Sequence, residues 1–230
     1  MNQIIAVGAG SKAIGRRGLR LERYLLDASE ARKPRVCFLP TAGGDLPQHI
    51  KRVTRVFTEL GARVSHLTLI QPNTADVEKL LLAQDLIWVG GGNTRNMLAL
   101  WRAWGVDAAL HKAYQRGVVL AGGSAGAICW FEQGITDSVP GKLLPMDCLG
   151  WLPGSCCPHY DSESGRRPTY RKLIAAGKVK AGLALDDQAA AHYINGKLHK
   201  VLAYSRGARA HWVQRKAGRL QETLLDSESK

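Results

Sequence analysis

A serine flanked by glycines is the first feature of this sequence that could do chemistry. The run GGSAG at residues 122–126 fits the pattern G-x-S-x-G, in which a serine on a sharp strand-to-helix turn attacks a carbonyl carbon. Such a turn needs small residues two positions to either side of Ser124. At the start of a helix, the free N–H of Ala125 can also donate to the oxyanion that develops on the attacked carbonyl. A glycine-rich turn with a helix-capping serine fits the same five residues. The pattern alone leaves both interpretations open.

A nucleophilic serine also needs a general base and an acid that orients the base. Among seven histidines, His159 lies in a loop-like segment directly after Pro158, whereas His192 lies in an apolar strand and is expected to be structural. Asp186 and Asp187 follow the apolar run GLAL at a predicted strand end. Neighbouring side chains on an extended segment point to opposite sides, so one carboxylate can face a site. The remaining histidines fall inside predicted helices or strands: His49, His66, His111, His199 and His211.

The glycine and cysteine patterns elsewhere predict neither a cofactor nor a metal. Residues 8–13, GAGSKA, match the dinucleotide pattern G-x-G-x-x-[GA], but the next strand ends in LPT with no acid for a ribose hydroxyl. Residues 10–15 have the frame of a phosphate loop, yet two arginines at 16–17 replace the required Lys and Ser or Thr. The CCPH run at 156–159 is too tightly spaced for C-x-x-C ligands. We expect turn glycines and no bound cofactor or metal.

The elements that must position these residues predict an α/β fold in three layers, with a mostly parallel central sheet. Short apolar runs alternate with longer amphipathic ones, which is typical of parallel strands covered by helices on both faces. Ligands of such sheets bind outside the carboxyl ends of the strands, so chemistry is expected in the loops at 8–10, 41–44, 90–93 and 122–126. The predicted strands are 4–7, 36–39, 64–69, 86–89 and 118–121, and the predicted helices are 19–31, 47–60, 74–83 and 94–116, the last with a break signal at Gly105.

The second half has shorter elements, and no linker divides residues 1–230 into separate domains. A helix is expected to follow the serine over 125–131, and residues 138–158 are expected to be loop with short strands. The tail DSESK after Leu225 is expected to be frayed. The remaining predictions are a helix over 168–176, strands over 184–185, 189–194, 198–204 and 210–214, and a hairpin turn at Asn195-Gly196.

Composition narrows the class of protein further. The hydrophobic fraction is 45% and the charged fraction 22%, and no apolar run approaches the roughly 18 residues that cross a bilayer. The five cysteines are odd in number and mostly scattered, so reduced thiols are expected. Residues 1–17 contain no basic segment ahead of a long apolar one, so no export signal and a cytoplasmic location are expected. The net charge of +13 suits either nucleic acid or anionic substrates. The basic residues form no dense run with stacking aromatics, so neither a nucleic-acid nor a membrane partner is expected.

Five segments together resemble the peptidase E (aspartyl dipeptidase) family of serine peptidases, which includes the cyanophycinases. They are GGGNT at 90–94, GSAGA at 123–127, TDS at 136–138, PHY at 158–160 and GLALDD at 182–187. The resemblance implies a fold similar to a class I glutamine amidotransferase domain, of flavodoxin-like topology, with serine in place of the usual cysteine. It also implies a homodimer.

The resemblance assigns a role to each of these segments. It implies that Ser124 is the nucleophile, His159 the base and Asp187 the acid, with Asp186 and Asp137 as competitors for the third role. The order Ser, His, Asp differs from the Ser, Asp, His order of α/β-hydrolases, which argues against an esterase or lipase of that fold.

Substrate recognition follows from the same resemblance, which implies cleavage of short peptides after an N-terminal Asp. The N–H of Gly91 or Gly92 would join that of Ala125 as the oxyanion hole, because a loop without side chains lets its backbone approach the oxygen.

Asn93 would cap the next helix or touch substrate, and Asp137 would bind the substrate's amino group. For the aspartate side chain, the candidates are Arg166 and Arg167, because a guanidinium binds a carboxylate bidentately. The alternatives are a cyanophycinase-like hydrolase of Asp-containing polymer and an amidotransferase-like binding protein with an unused serine.

Overall fold

Two sheets, seven α-helices and one short 3-10 helix (Thr41–Gly43) form in the described part of the chain, residues 1–8 and 19–229 of the computed structural model. The strands of the first sheet are β1 (Gln3–Val7), β2 (Arg35–Leu39), β3 (Arg63–His66), β4 (Leu86–Val89), β5 (Val119–Gly123), β10 (Ala189–Ile194), β11 (Lys197–Ala203) and β14 (Ser227–Ser229). The strands of the second sheet are β6 (Phe131–Val139), β7 (Lys142–Asp147), β8 (Leu152–Cys157), β9 (Gly182–Leu185), β12 (Ala210–Lys216) and β13 (Arg219–Leu225). The helices are α1 (Arg20–Ala28), α2 (Pro47–Glu59), α3 (Val77–Leu82), α4 (Thr94–Trp104), α5 (Val106–Gln115), α6 (Ala125–Ile128) and α7 (Arg166–Ala175).

The first sheet is mostly parallel and runs in the order β14-β11-β10-β1-β5-β4-β2-β3. Strands β1, β5, β4, β2 and β3 are parallel, so their carboxyl ends lie along one edge of the sheet. Strand β10 is antiparallel to β1 and therefore begins at that same edge. The predicted α/β class with a mostly parallel central sheet is confirmed, and this edge brings together the predicted functional loops at 41–44, 90–93 and 122–126.

Alternation along the central strands places helices on both faces of the first sheet. In β1, Ile5 and Val7 face a core cluster with α1 and α2, whereas Ile4 and Ala6 face a cluster that includes α3 to α6. That second cluster also contains Phe131 of β6, so the second sheet packs over the same face. Helix α7 covers the outer side of the second sheet. This second sheet, in the order β13-β12-β9-β8-β6-β7, was not predicted as a unit.

Two predicted segments are wrong. The helix expected over 125–131 ends at Ile128, and Phe131 begins β6. The Trp130 carbonyl accepts the N–H groups of both Trp151 and Leu152, and these hydrogen bonds to a distant segment stabilise an extended backbone in place of a helix. The tail expected to be frayed forms β14, which pairs in parallel with β11. An edge strand offers unpaired backbone groups, and these fix a polar tail that composition alone would leave loose.

Turn and break signals are confirmed where glycine sets the backbone. Gly105 has φ 66° and separates α4 from α5. Asn195 and Gly196 have φ 51° and 76°, as a two-residue hairpin with positive φ at both positions requires. The dinucleotide-like and phosphate-loop-like patterns lie, apart from Gly8, outside the described residues. Among the described residues, no helix combines the length and apolar character needed to cross a bilayer.

Candidate active site

Ser124 lies on a strained turn between β5 and α6. Its φ of 56° and ψ of −114° fall in a sparsely populated region that costs a non-glycine residue about 1–3 kcal/mol. The backbone around it holds this conformation: the Ser124 N–H donates to the Val7 carbonyl at 3.1 Å, and its own carbonyl accepts the N–H groups of Ala127 and Ile128 at 2.9 Å. The side chain is therefore presented at the carboxyl edge of the first sheet.

The two glycines that flank the serine are required by close packing. A Cβ on Gly122 would lie 2.4 Å from the Gly126 carbonyl oxygen, and a Cβ on Gly126 would lie 2.3 Å from the Val89 carbonyl oxygen. The start of α6 is thereby pressed against β5 and β4. The glycines therefore serve both interpretations at once. They let α6 pack closely on β5 and β4, and they let α6 begin directly after Ser124, which makes the turn sharp enough to present the serine side chain.

His159 follows β8 and reaches the serine. Its Nε2 lies 2.9 Å from Ser124 Oγ, and its side chain is 17% exposed. The loop is fixed by the Tyr160 N–H, which donates to the Leu185 carbonyl at 3.0 Å. With the proton on Nδ1, the ring can accept a proton from the hydroxyl at Nε2.

The two adjacent aspartates have different partners. Asp187 Oδ1 lies 2.8 Å from His159 Nδ1, whereas Asp186 Oδ2 accepts the N–H of Arg209 at 3.0 Å. The pair lies in a turn and not on the extended segment that was predicted, since the Ala189 N–H donates to the Asp186 carbonyl at 3.1 Å, and the turn gives the two side chains separate partners. Burial, together with the charge of Asp161, raises the pKa of Asp186 to about 6.

Asp161 belongs to the same cluster although the sequence did not single it out. Its Oδ1 accepts the N–H of Asp187 at 2.8 Å, so the loop that contains His159 is tied twice to the turn that contains Asp187. The only signal in the sequence was a short acidic residue two positions beyond the histidine, and such a residue is common in turns.

The glycine loop after β4 lies beside the serine turn, because Val89 pairs with Gly122 in neighbouring strands. Gly92 has φ 138°, and a Cβ there would lie 2.0 Å from the Ala42 carbonyl oxygen. Within the described chain, the N–H groups of Gly91 and Gly92 donate to no backbone carbonyl. As the first residue of α6, Ala125 likewise has an N–H without an intrahelical acceptor.

Asn93 caps α4. Its Oδ1 accepts the Asn96 N–H at 2.9 Å, and its Nδ2 donates to the Ser138 carbonyl at 3.0 Å. The second contact brings the segment that contains Asp137 next to the glycine loop. The Asp137 side chain itself is 62% exposed.

The two arginine candidates lie in different surroundings. Arg166 is 2% exposed, and its guanidinium bonds Glu163 at 2.6 Å and the Ile135 carbonyl at 2.7 Å, with Asp137 at 3.4 Å. Arg167 is turned to the second sheet, where it bonds Glu222 at 2.8 Å and lies over the ring of Tyr160. The structure thus places Arg166, but not Arg167, in contact with the segment around Asp137.

The buried thiols and the buried His192 lie in surroundings that keep these side chains uncharged. Among the described residues, no group of three or more His, Cys, Asp or Glu side chains could hold a metal ion. Burial raises the pKa of the Cys157 thiol to about 12, which suppresses the reactive thiolate. His192 Nδ1 bonds the Tyr24 hydroxyl at 2.6 Å, and burial lowers its pKa to about 4. It lies in β10 with its imidazole in the neutral form at pH 7.

Comparison with known proteins gives a family match over most of the chain. Residues 4–201 match the model of peptidase family S51. The chain is 47% identical over 213 residues to the uncharacterized peptidase YgaJ of Bacillus subtilis (strain 168), covering 93% of this chain and 92% of that protein.

Two solved structures share the fold. A peptidase from an acI-B1 Actinobacterium superposes with a TM-score of 0.67 at 17% identity, covering 96% of this chain and 93% of the other. A candidate peptidase E protein from Listeria monocytogenes EGD-e superposes with a TM-score of 0.59 at 18% identity, covering 98% and 100%.

Proposed function

Because the chain belongs to peptidase family S51 and is thus a peptidase, we propose that it is a serine peptidase that cleaves short peptides after an N-terminal aspartate. The observation that carries the serine mechanism is one continuous hydrogen-bonded chain. Ser124 Oγ lies 2.9 Å from His159 Nε2, and His159 Nδ1 lies 2.8 Å from Asp187 Oδ1.

The proposed reaction begins with attack of Ser124 Oγ on the carbonyl carbon after the N-terminal residue. His159 takes the hydroxyl proton at Nε2 and then gives it to the leaving amine, and water hydrolyses the acyl-enzyme by the reverse route. Asp187 keeps the Nδ1 proton of His159 directed away from the serine and stabilises the imidazolium that forms. The strained backbone of Ser124 is compatible with this role, since nucleophile elbows hold their serine in such a conformation.

We assign the oxyanion hole to backbone groups at the edge of the first sheet. The N–H of Ala125 adjoins the serine, and the glycine loop of Gly91 and Gly92 lies on the neighbouring strand with N–H groups that donate to no described carbonyl. Donors aimed at a developing oxyanion contribute about 3–4 kcal/mol each in related chemistry. Gly92 is held by its close approach to Ala42, which supports a rigid loop.

We assign recognition of the N-terminal aspartate to Arg166 and Asp137. The Arg166 contact with Asp137, at 3.4 Å, is longer than the contacts of the same guanidinium with Glu163 and the Ile135 carbonyl. A substrate carboxylate can replace that weakest partner, while the exposed Asp137 carboxylate binds the free α-amino group. Arg167 pairs with Glu222 on the second sheet and does not take part in this assignment.

The substrate test compares Asp-Leu, Leu-Asp, N-acetyl-Asp-Leu and a β-Asp-Arg dipeptide. We expect hydrolysis of Asp-Leu alone, because the site requires both the aspartate carboxylate and the free amine. Hydrolysis of β-Asp-Arg in preference to Asp-Leu would instead indicate a cyanophycinase-like activity. No turnover of any of the four would contradict the proposed substrate class.

The mechanism is tested with variants of the three hydrogen-bonded residues. Ser124→Ala and His159→Ala are expected to lower kcat for Asp-Leu by at least about 10⁴-fold, and Asp187→Asn by about 10³–10⁴-fold. Asp186→Asn is the matched control, because the Asp186 side chain bonds the Arg209 N–H and not His159, and the amide oxygen of asparagine can still accept that N–H. Loss of activity in Asp186→Asn with full activity in Asp187→Asn would reverse the assignment of the acid.

A further inference from the structure

An open cavity of about 510 Å³ lies at one end of the carboxyl edge of the first sheet. We call it the β11 cavity, because residues 204–209, which follow β11, form one wall. Residues 224–227, from the end of β13 to the first residue of β14, form the other wall, and Arg20 at the start of α1 also lines it. None of the residues proposed above for catalysis or for aspartate recognition lines this cavity.

The β11 cavity is positively charged. Arg206 and Arg209 line it, and Asp226 is the one acidic residue in its wall. No ion pair within the described part of the chain involves either arginine. The main chain of Arg209 is occupied with Asp186, to which its N–H donates at 3.0 Å. Its side chain is not needed for that contact and is available to an anion.

Strand register gives the position of the cavity relative to Ser124. Gly123 pairs with Val7, Val7 pairs with Ala190, and Ala190 pairs with Leu202. Ser124 and the wall after β11 therefore emerge from the same row of the sheet, three strand spacings apart. At about 4.8 Å per spacing, the separation is about 14 Å.

The proposed catalytic groups run in the direction of the cavity. Ser124 follows β5, whereas Asp187, which bonds His159, lies in the turn just before β10. Strand β11 is the next strand along the same edge. In the proposed mechanism His159 protonates the leaving amine, so the leaving part of the peptide lies on the His159 side of the serine. A chain that leaves in this direction heads toward the β11 cavity.

We propose that the β11 cavity binds the C-terminal carboxylate of the leaving segment and so selects peptides by length. This inference rests on the proposed function. An extended chain advances about 3.3 Å per residue, so about four residues beyond the scissile bond span the 14 Å. The group bound is a carboxylate, which guanidinium groups bind through paired hydrogen bonds. The preferred substrate is then a peptide of about five residues with aspartate at its N-terminus.

The test compares Asp-Leu-Gly-Gly-Gly as the free acid and as the C-terminal amide, with Asp-Leu assayed in parallel. For the unmodified protein, we expect kcat/KM to be about tenfold or more higher for the acid than for the amide, mainly through a lower KM, since a hydrogen bond to a charged group supplies this much. Arg206→Gln and Arg209→Gln are each expected to bring this ratio toward one. Arg116→Gln is the matched control, because it removes an exposed charge at the opposite edge of the sheet, just before β5, and should leave the ratio unchanged.

The outcomes separate the two proposals. Equal cleavage of acid and amide, with Asp-Leu still cleaved, would overturn the carboxylate site and leave the proposed function intact. A ratio that falls as far in Arg116→Gln as in Arg206→Gln would also overturn it, because it would indicate a general effect of net charge. Failure to cleave any of these peptides would overturn the proposed function and the carboxylate site together.

Discussion

Asp186 and Asp187 are chemically identical neighbours in different environments. Asp187 bonds His159, whereas Asp186 is 6% exposed and accepts a backbone N–H from Arg209. The pKa of Asp186 is raised from 3.8 to about 6, first by burial and then by the charge of Asp161. The folded protein therefore disfavours the ionised form of this carboxyl.

The stability of the protein should consequently depend on Asp186 in a defined pH window. Well below pH 3.8 the carboxyl is protonated in both the folded and the unfolded chain, and as the pH rises toward about 6 the unfolded chain releases its proton first. Stability falls through this window and remains lower above it. Asp186→Asn removes this loss, so thermal melts should show the variant to be more stable than the parent at pH 8, with a difference that shrinks toward pH 4. A difference that grows on acidification would contradict the raised pKa.

The turn between β5 and α6 depends on how closely α6 approaches its neighbours. Gly126 lies against the Val89 carbonyl of β4, and Gly122 lies against Gly126. Small residues at these positions were predictable from the G-x-S-x-G pattern. That α6 has a single turn, Ala125–Ile128, was not, because β6 begins through contacts with residues about twenty positions later.

Gly126→Ala is expected to destabilise the protein. The new Cβ would meet the Val89 carbonyl oxygen at 2.3 Å, and this oxygen belongs to the backbone of β4 and cannot turn away as a flexible side chain could. We expect a loss of about 2–3 kcal/mol in the free energy of unfolding, measured with urea, because overpacking of a tight core typically costs this much.

Gly165→Ala is the matched control for this substitution. Gly165 has φ −79°, and its Cβ would meet only the end of the Leu143 side chain, at 3.1 Å. Its free energy of unfolding should change by no more than about 1 kcal/mol. Equal effects in the two variants would contradict the backbone clash as the cause.

The layers of the molecule are joined by a charged cluster on Glu222. This carboxylate of β13 is 9% exposed and bonds Arg167 and Arg171 of α7 and the hydroxyl of Tyr160. Tyr160 directly follows His159, so the cluster links the second sheet, α7 and the loop of the proposed base. Its parts come from segments more than fifty residues apart in the chain.

Removing the carboxylate should weaken this link between layers. Glu222→Ala leaves two arginines and a tyrosine hydroxyl without their shared acceptor. We expect a loss of about 2 kcal/mol in the free energy of unfolding, less than for a fully buried pair because both arginines are partly exposed.

Glu59→Ala provides the comparison for an exposed ion pair. Glu59 faces Arg55 at 3.8 Å with both side chains more than half exposed, so its loss should change stability by no more than about 0.5 kcal/mol. Urea unfolding of the two variants measures both values. A Glu222→Ala effect as small as that of Glu59→Ala would show that the cluster does not stabilise the contact between layers.

Local pattern alone determined much of the first half of this protein. The short apolar runs that form the buried strands β1, β2, β4 and β5, the helices between them and the turn glycines all follow from neighbours in sequence, so they were predictable. The set of Ser124, His159 and Asp187 came instead from the resemblance to a family, and the fold brings the three side chains into hydrogen-bond contact.

Only the tertiary structure decided the features that depend on distant segments. Nothing local distinguishes Asp187 from Asp186 or Arg166 from Arg167, because each pair differs only in which remote residue it meets. The second sheet and β14 likewise form by pairing between segments far apart in the chain. Backbone hydrogen bonds at a sheet edge do not depend on the type of side chain, so the polar tail forms a strand. The β11 cavity lies beside this strand, where the two sheets end next to each other.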